Sequence, residues 1–208
     1  MPDYTPPAEY RGAPQRFVLP AGSTMWRVHR QQRAATEFVK SKGKPPGGRF
    51  DDEPCQVWYG ALDSGTAVAE VVLQSGATLV RRKAIAGLRA SVVVTATDLA
   101  VVDLRTGPAL AAAAQDGWLV TAEGREFPMT RRWGGWIRTH APWAQGFVWA
   151  TRGSDRHASV VLFGDRCDST VLTPEPRYEV NLDDDFGTRW LNGQLVDYGA
   201  KVMPPNRK

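Results

Sequence analysis

Two short apolar segments each carry a large polar side chain in their middle: Arg27 in Met25-Trp26-Arg27-Val28-His29, and Tyr59 in Val57-Trp58-Tyr59-Gly60. Both segments read as strands, where successive side chains point to opposite faces. Arg27 then faces away from Trp26 and Val28, and Tyr59 away from Trp58. Each polar group must line a cleft, stand exposed or be paired in the core, because burying it unsatisfied costs roughly 2–7 kcal/mol. Arg49, in the turn Gly47-Gly48-Arg49-Phe50-Asp51, and Glu70, in Thr66-Ala67-Val68-Ala69-Glu70, complete an ordered set of two guanidiniums, a phenol and a carboxylate. This set is the first candidate site.

The rest of the chain alternates irregularly between strand and helix patterns. Thr24 to His29 and Gln56 to Ala61 read as strands, separated by a polar, glycine- and proline-rich loop from Arg30 to Gly48. Asp63 or Ser64 can cap a helix running through Gln74, since either oxygen can accept from first-turn amides. The β-branched runs Ser91 to Thr95 and Leu99 to Leu104 are strands, and alanine-rich 109–114 is helical. Trp133, Trp136 and Ile137 recur at helical spacing within 130–140. Gly146 to Trp149 and Ser159 to Phe163 add strands, and 184–198 suits a closing helix. Without the regular strand–helix alternation of a doubly wound sheet, the pattern favours an α+β fold.

At 208 residues with 42% hydrophobic content and eight tryptophans, the chain suits one packed domain. Residues 1–20, with Pro2, Pro6, Pro7, Pro14 and Pro20, read as an extended lead-in; 21–200 form the domain, and 201–208 a basic tail. No apolar run approaches the roughly 20 residues that span a bilayer. The start Met1-Pro2-Asp3-Tyr4 lacks a basic region followed by an apolar one, so no secretory signal is expected. Two cysteines, Cys55 and Cys167, lack metal-ligand companions, and the expectation is a reduced, cytoplasmic protein without a metal. The net charge of +4 raises the odds of an anionic partner. However, the basic residues form scattered pairs instead of a stripe, which disfavours direct nucleic-acid binding.

Gly47-Gly48-Arg49 is neither a Walker loop nor a dinucleotide-binding turn, since the required lysine and glycine spacings are missing. If phosphate binds, arginine forks and loop amides must hold it. By helix pattern alone, Glu70 falls opposite Val68, Val71 and Val72, beside Thr66 and Gln74, where a solvated carboxylate is the plain alternative. For Tyr59 that alternative is a core tyrosine with a satisfied hydroxyl. His29, His140 and His157 have no partners at metal or triad spacing.

These motifs, in this order, resemble the RES-domain family, whose name records an arginine, a glutamate and a serine. The similarity runs from about Thr24 to about Arg166. Beyond the segments above it includes Thr130-Arg131-Arg132-Trp133, Gln145-Gly146-Phe147-Val148-Trp149 and Val160-Val161-Leu162-Phe163-Gly164-Asp165-Arg166. At the family's serine position stands Thr151, in Trp149-Ala150-Thr151-Arg152, which keeps the hydroxyl but adds a methyl and restricts χ1. Ser154 is a less well-placed substitute.

The resemblance implies a single-domain, ADP-ribosyltransferase-like mixed sheet with flanking helices. It further implies an enzyme that consumes NAD⁺ as substrate, by glycohydrolysis or by phosphorolysis with inorganic phosphate, and needs no cofactor. Glu70, Arg49 and Tyr59 would carry catalysis, while Arg27, Arg49, Tyr59 and Thr151 would bind substrate. Family members of this kind are bacterial toxins paired with an Xre-type helix-turn-helix antitoxin. Two other functions fit the resemblance, an impaired ADP-ribose- or NAD-binding regulatory module and a protein ADP-ribosyltransferase. A homo-oligomer is compatible with all of them.

Overall fold

The computed structural model describes residues 4–10, 12–40, 47–52, 55–73, 77–151, 154–168 and 170–204, without the side chains of 154–156. Its strands are β1 (Arg16–Leu19), β2 (Thr24–Arg30), β3 (Val39–Lys40), β4 (Gln56–Ala61), β5 (Leu79–Val80), β6 (Leu88–Thr95), β7 (Leu99–Leu104), β8 (Gly146–Thr151), β9 (Ser154–Phe163), β10 (Leu172–Asn181) and β11 (Lys201–Val202). Its helices are α1 (Ser64–Val72), α2 (Arg82–Ile85), α3 (Gly107–Ala112), α4 (Trp118–Thr121), α5 (Phe127–His140) and α6 (Asp185–Gln194).

Among the described residues, one sheet runs in the order β1-β7-β8-β9-β4-β2-β6-β10, with β3 added beside β4. Only the β7–β8 pair is parallel in this mixed sheet. The short parallel pair β5–β11 stands apart. Helices and strands are interspersed along one α+β domain.

Side-chain alternation gives the sheet two differently covered faces. The front carries Trp26 and Val28 from β2, Val57 and Tyr59 from β4, Phe147 and Trp149 from β8, and Val161 and Phe163 from β9. Two groups of helices cover it. Helices α1 and α6 close a cluster including Val68, Ala69, Val72, Leu191 and Ala90. Helices α3 to α5 close another, including Leu110, Leu119, Trp133, Ile137 and Phe147. The back face gathers Met25, Trp58, Val93, Val148, Val160 and Leu162 under loop residues such as Ala35 and Val171, and no helix residue joins that cluster.

Both ends of the sheet depart from the sequence reading. Arg16–Leu19, expected in the lead-in, forms the edge strand β1 beside β7. Residues 4–10 strap the helical layer: Tyr4 stacks on Trp118 at 3.9 Å, and Trp136 Nε1 donates to the Pro7 carbonyl at 3.1 Å. At the other edge, β10 carries Pro174 and Pro176, which mask it as a strand in sequence. An edge position tolerates them, because an outer strand has amides that need no ladder partner. Its pairing with β6 also shifts register between Glu175 and Glu179. The expected closing helix ends at Gln194 and is followed by a 3₁₀ turn at Val196–Tyr198. Lys201–Val202, assigned to the tail, is β11, while 205–208 lie outside the described residues.

Candidate active site

The two helical groups leave a seam on the front face, and the sheet opens beneath it. Strands β2 and β4 pair at a single position, Trp26 with Ala61. Beyond that point Val28 and Tyr59 line a small pocket instead of a ladder. Gly60, Trp149 and Ser159 complete its floor, and Ala67, Glu70 and Val71 of α1 form its wall. Most of this lining is apolar.

Glu70 reaches the pocket because Ala67, Glu70 and Val71 sit at i, i+3 and i+4, one face of the helix. Val68, Ala69 and Val72 turn into the core instead. The sequence pattern had grouped Val71 with those core valines, yet Val71 is 51% exposed at the pocket mouth. It had grouped Glu70 with Thr66, yet Thr66 is fully buried. Thr66 is drawn in by the N-cap: Asp63 accepts from the Thr66 amide at 2.8 Å and from its hydroxyl at 2.6 Å. The last helical residue is Val72, and Gln74 lies outside the described residues.

Arg49 is delivered by a tightly tied turn. The Gly48 amide donates to Asp51 Oδ2 at 2.7 Å, and the Thr130 hydroxyl donates to the Arg49 carbonyl at 2.6 Å. Arg131 Nε donates to the Gly48 carbonyl at 3.0 Å. A side chain at either glycine would displace the groups that tie this turn. A Cβ at Gly47 would fall 2.4 Å from Asp51 Oδ2, and one at Gly48 would fall 2.5 Å from the Tyr59 hydroxyl oxygen. The Arg49 guanidinium donates to the Leu119 carbonyl at 3.1 Å and lies over the Phe127 ring. Burial lowers its pKa, and the nearby Glu70 carboxylate opposes that shift. Glu70 is thus the leading opposite charge acting on Arg49. The outer part of the loop, 41–46, lies outside the described residues.

Tyr59 joins the pocket by its ring, while its hydroxyl is spent on the turn. Its ring lines the pocket, but its hydroxyl donates to Asp51 at 3.0 Å and accepts from the Phe50 amide at 2.9 Å. Burial, reinforced by the adjacent Asp51, raises its pKa well above the ordinary phenol value. Tyr59 thus remains a neutral phenol that braces the turn; the geometry makes it a positioning residue, not an acid–base group.

Arg27 does not join the others. Alternation sends it to the back face, where it is 7% exposed and donates to the Ala35 carbonyl at 2.9 Å and the Glu37 carbonyl at 2.5 Å. Burial lowers its pKa to about 10 although Glu37 partly opposes this. In this arrangement Arg27 is a buried tie holding the loop after β2, apart from the pocket lined by Glu70 and Tyr59 beside which substrate binding was expected. Thr151 is also absent from the lining. Its hydroxyl, buried at the end of β8, lies 2.7 Å from the Ser159 hydroxyl, and it is Ser159 that lines the pocket. The Ser154 side chain lies outside the described residues.

Sequence reasoning missed Ser159, Trp149 and Asp51 as contributors. Ser159 and Trp149 are paired across β8 and β9, a register invisible before the sheet order is known. Asp51 did carry a signal, standing three residues after Gly48 where a carboxylate can accept the turn's amide. Beyond the turn, Arg138 of α5 bridges Asp52 and Asp165, the latter at 2.6 Å, which ties the exit of the turn to the end of β9. Among the described residues no group of three or more His, Cys, Asp or Glu is placed to hold a metal ion.

The RES domain model matches residues 24–185, from the start of β2 to the start of α6. The chain belongs to the RES family. That span contains every residue of the seam. Among solved structures, the chain is similar to the M. tuberculosis MbcT–MbcA toxin–antitoxin complex, with a TM-score of 0.61 and 20% identity. The match covers 84% of this chain and 91% of that one, so the two share a fold over nearly their whole extent. No curated protein matches. No helix among the described residues is long and apolar enough to cross a membrane.

Proposed function

We propose that this RES-family protein cleaves the bond between nicotinamide and ribose in NAD⁺, and that it is the toxin of a toxin–antitoxin pair. The observation that carries the reading is a carboxylate, Glu70, on the wall of a mostly apolar pocket, with the Arg49 guanidinium within its electrostatic reach. Cleavage breaks the C–N glycosidic bond; the bonding pair leaves with nicotinamide, which departs neutral. Positive charge then develops on the ribose, and a fixed carboxylate beside it lowers the barrier by electrostatic preorganisation. Glu70 is the group for that task. Arg49, held by Leu119 and the braced turn, supplies the guanidinium for the pyrophosphate. The apolar floor of Val28, Tyr59 and Trp149 suits a flat ring and excludes water from it.

Water as acceptor yields ADP-ribose, and inorganic phosphate yields the 1-phosphorylated sugar. The toxin role is supported by family membership and by the fold shared with a chain of a toxin–antitoxin complex. An Xre-type antitoxin would be the partner, and the cytoplasm, where NAD⁺ is abundant, the place of action. The test is to incubate purified protein with NAD⁺, with and without phosphate, and to resolve the products by chromatography. Release of free nicotinamide supports the reading, and intact NAD⁺ under both conditions refutes it.

A further inference from the structure

We infer that Ser159, not Thr151, presents the hydroxyl that meets the ligand, and that Thr151 acts through it as a positioning residue. This rests on the NAD⁺ reading of the seam. The two hydroxyls are 2.7 Å apart, and both residues are 2% exposed. Each hydroxyl carries one proton, and their mutual bond uses one of the two. Among the described residues neither hydroxyl makes another hydrogen bond. Within the described residues one proton is therefore left over in a buried place, where an unmet donor is costly.

Position decides where that proton goes. Ser159 stands on the pocket floor between Trp149 of β8 and Ala61 of β4, its neighbours in register, and shares the pocket lining with Glu70. Thr151, two residues beyond Trp149 at the end of β8, contributes nothing to that lining. With Thr151 accepting nothing from the ligand side, the consistent arrangement has Thr151 donating to Ser159 and Ser159 donating into the pocket. Threonine suits the rear position, because its branched Cβ restricts χ1 and fixes the direction of its oxygen. The recipient is an acceptor oxygen of NAD⁺, a carboxamide or ribose oxygen next to the bond that breaks. The arrangement also explains how a threonine at this place is compatible with a working site: no close approach of the Thr151 oxygen to the ligand is needed.

A double-mutant cycle tests the inference. NAD⁺ affinity is measured by calorimetry in a Glu70→Gln background, kcat and KM in the native background, and thermal midpoints confirm that each variant folds. Ser159→Ala should weaken NAD⁺ binding roughly tenfold, the size of one buried hydrogen bond. Thr151→Val should cost less, and Thr151→Ser, which keeps the donor, should restore affinity to within about threefold of the parent. Adding Thr151→Val to Ser159→Ala should cause no further loss, since the group it positions is gone. An equal loss from Thr151→Val in both backgrounds would mean that Thr151 reaches the ligand by itself, and would overturn the inference. Unchanged affinity in folded Ser159→Ala would overturn it as well. If the parent protein neither binds nor cleaves NAD⁺, the reading of the seam falls first, and this inference with it.

Discussion

Arg27 and Arg49 show how differently the two faces of one sheet use the same side chain. Arg27 is buried and Arg49 partly buried; both have lowered pKa values, and desolvation is the leading cause in each. On the back face, Arg27 spends its fork on the Ala35 and Glu37 carbonyls and has Trp58 beneath it at 5.5 Å. On the front, Arg49 gives one bond to the Leu119 carbonyl and stands in the field of Glu70. The back face is closed by a loop that Arg27 itself ties down. The front is left open where two groups of helices fail to meet. A buried arginine satisfied by carbonyls is architecture; a partly exposed one in the field of a pocket carboxylate is available for chemistry.

The sharpest way to break this contrast is Glu70→Gln, which keeps the size of the side chain and deletes its charge. Loss of one preorganised electrostatic group typically slows turnover about 10²–10³-fold. Nicotinamide release measured under saturating NAD⁺ should fall by that order while the circular dichroism spectrum is retained. Near-normal release would return Glu70 to a solvated carboxylate.

Arg27→Met should instead act on stability. The Ala35 carbonyl keeps its bond from Trp58 Nε1 at 2.8 Å, but the Glu37 carbonyl loses its donor. The expected cost is about 1–3 kcal/mol, seen as a lower midpoint in urea, with KM for NAD⁺ unchanged in the folded protein. A large rise in KM without loss of stability would place Arg27 in the site after all.

Arg49→Lys should raise KM roughly tenfold, because an ammonium cannot both keep the Leu119 bond and present a bidentate fork. Its midpoint should move much less than that of Arg27→Met, and the reverse pattern would exchange the roles of the two arginines. The smallest effect belongs to Tyr59→Phe, which leaves the pocket-lining ring and removes the brace between Phe50 and Asp51. A several-fold loss in kcat/KM is expected, with an unaltered pH profile between pH 6 and pH 9 on the order of measurement error, since the raised phenol pKa keeps Tyr59 neutral there. A profile that loses a titration step would restore Tyr59 as an acid–base group.

Much of this organisation is legible in the sequence, and the limits are instructive. Strands with β-branched alternation, such as Leu99–Leu104, and the Trp133–Ile137 helix face declare themselves locally. Glu70, Arg49 and Tyr59 could be singled out only as a set, since the local pattern by itself leaves Glu70 a solvated carboxylate and Tyr59 a core tyrosine. The side of the sheet on which Arg27 lies was not, because alternation shows that it opposes Val28 but not which of them faces the cleft. Ser159 was hidden for a similar reason: its importance comes from register with Trp149 and contact with Thr151, both non-local. Strand β10 was concealed by prolines that only an edge tolerates.

The most direct test of the front-face assignment is a crystal structure of the Glu70→Gln variant with NAD⁺. The expected density places the nicotinamide–ribose bond between position 70 and Ser159, the ring against Trp149 and Tyr59, and the pyrophosphate within reach of Arg49. Ligand density against Arg27 and Trp58 on the back face, with the seam left empty, would contradict it.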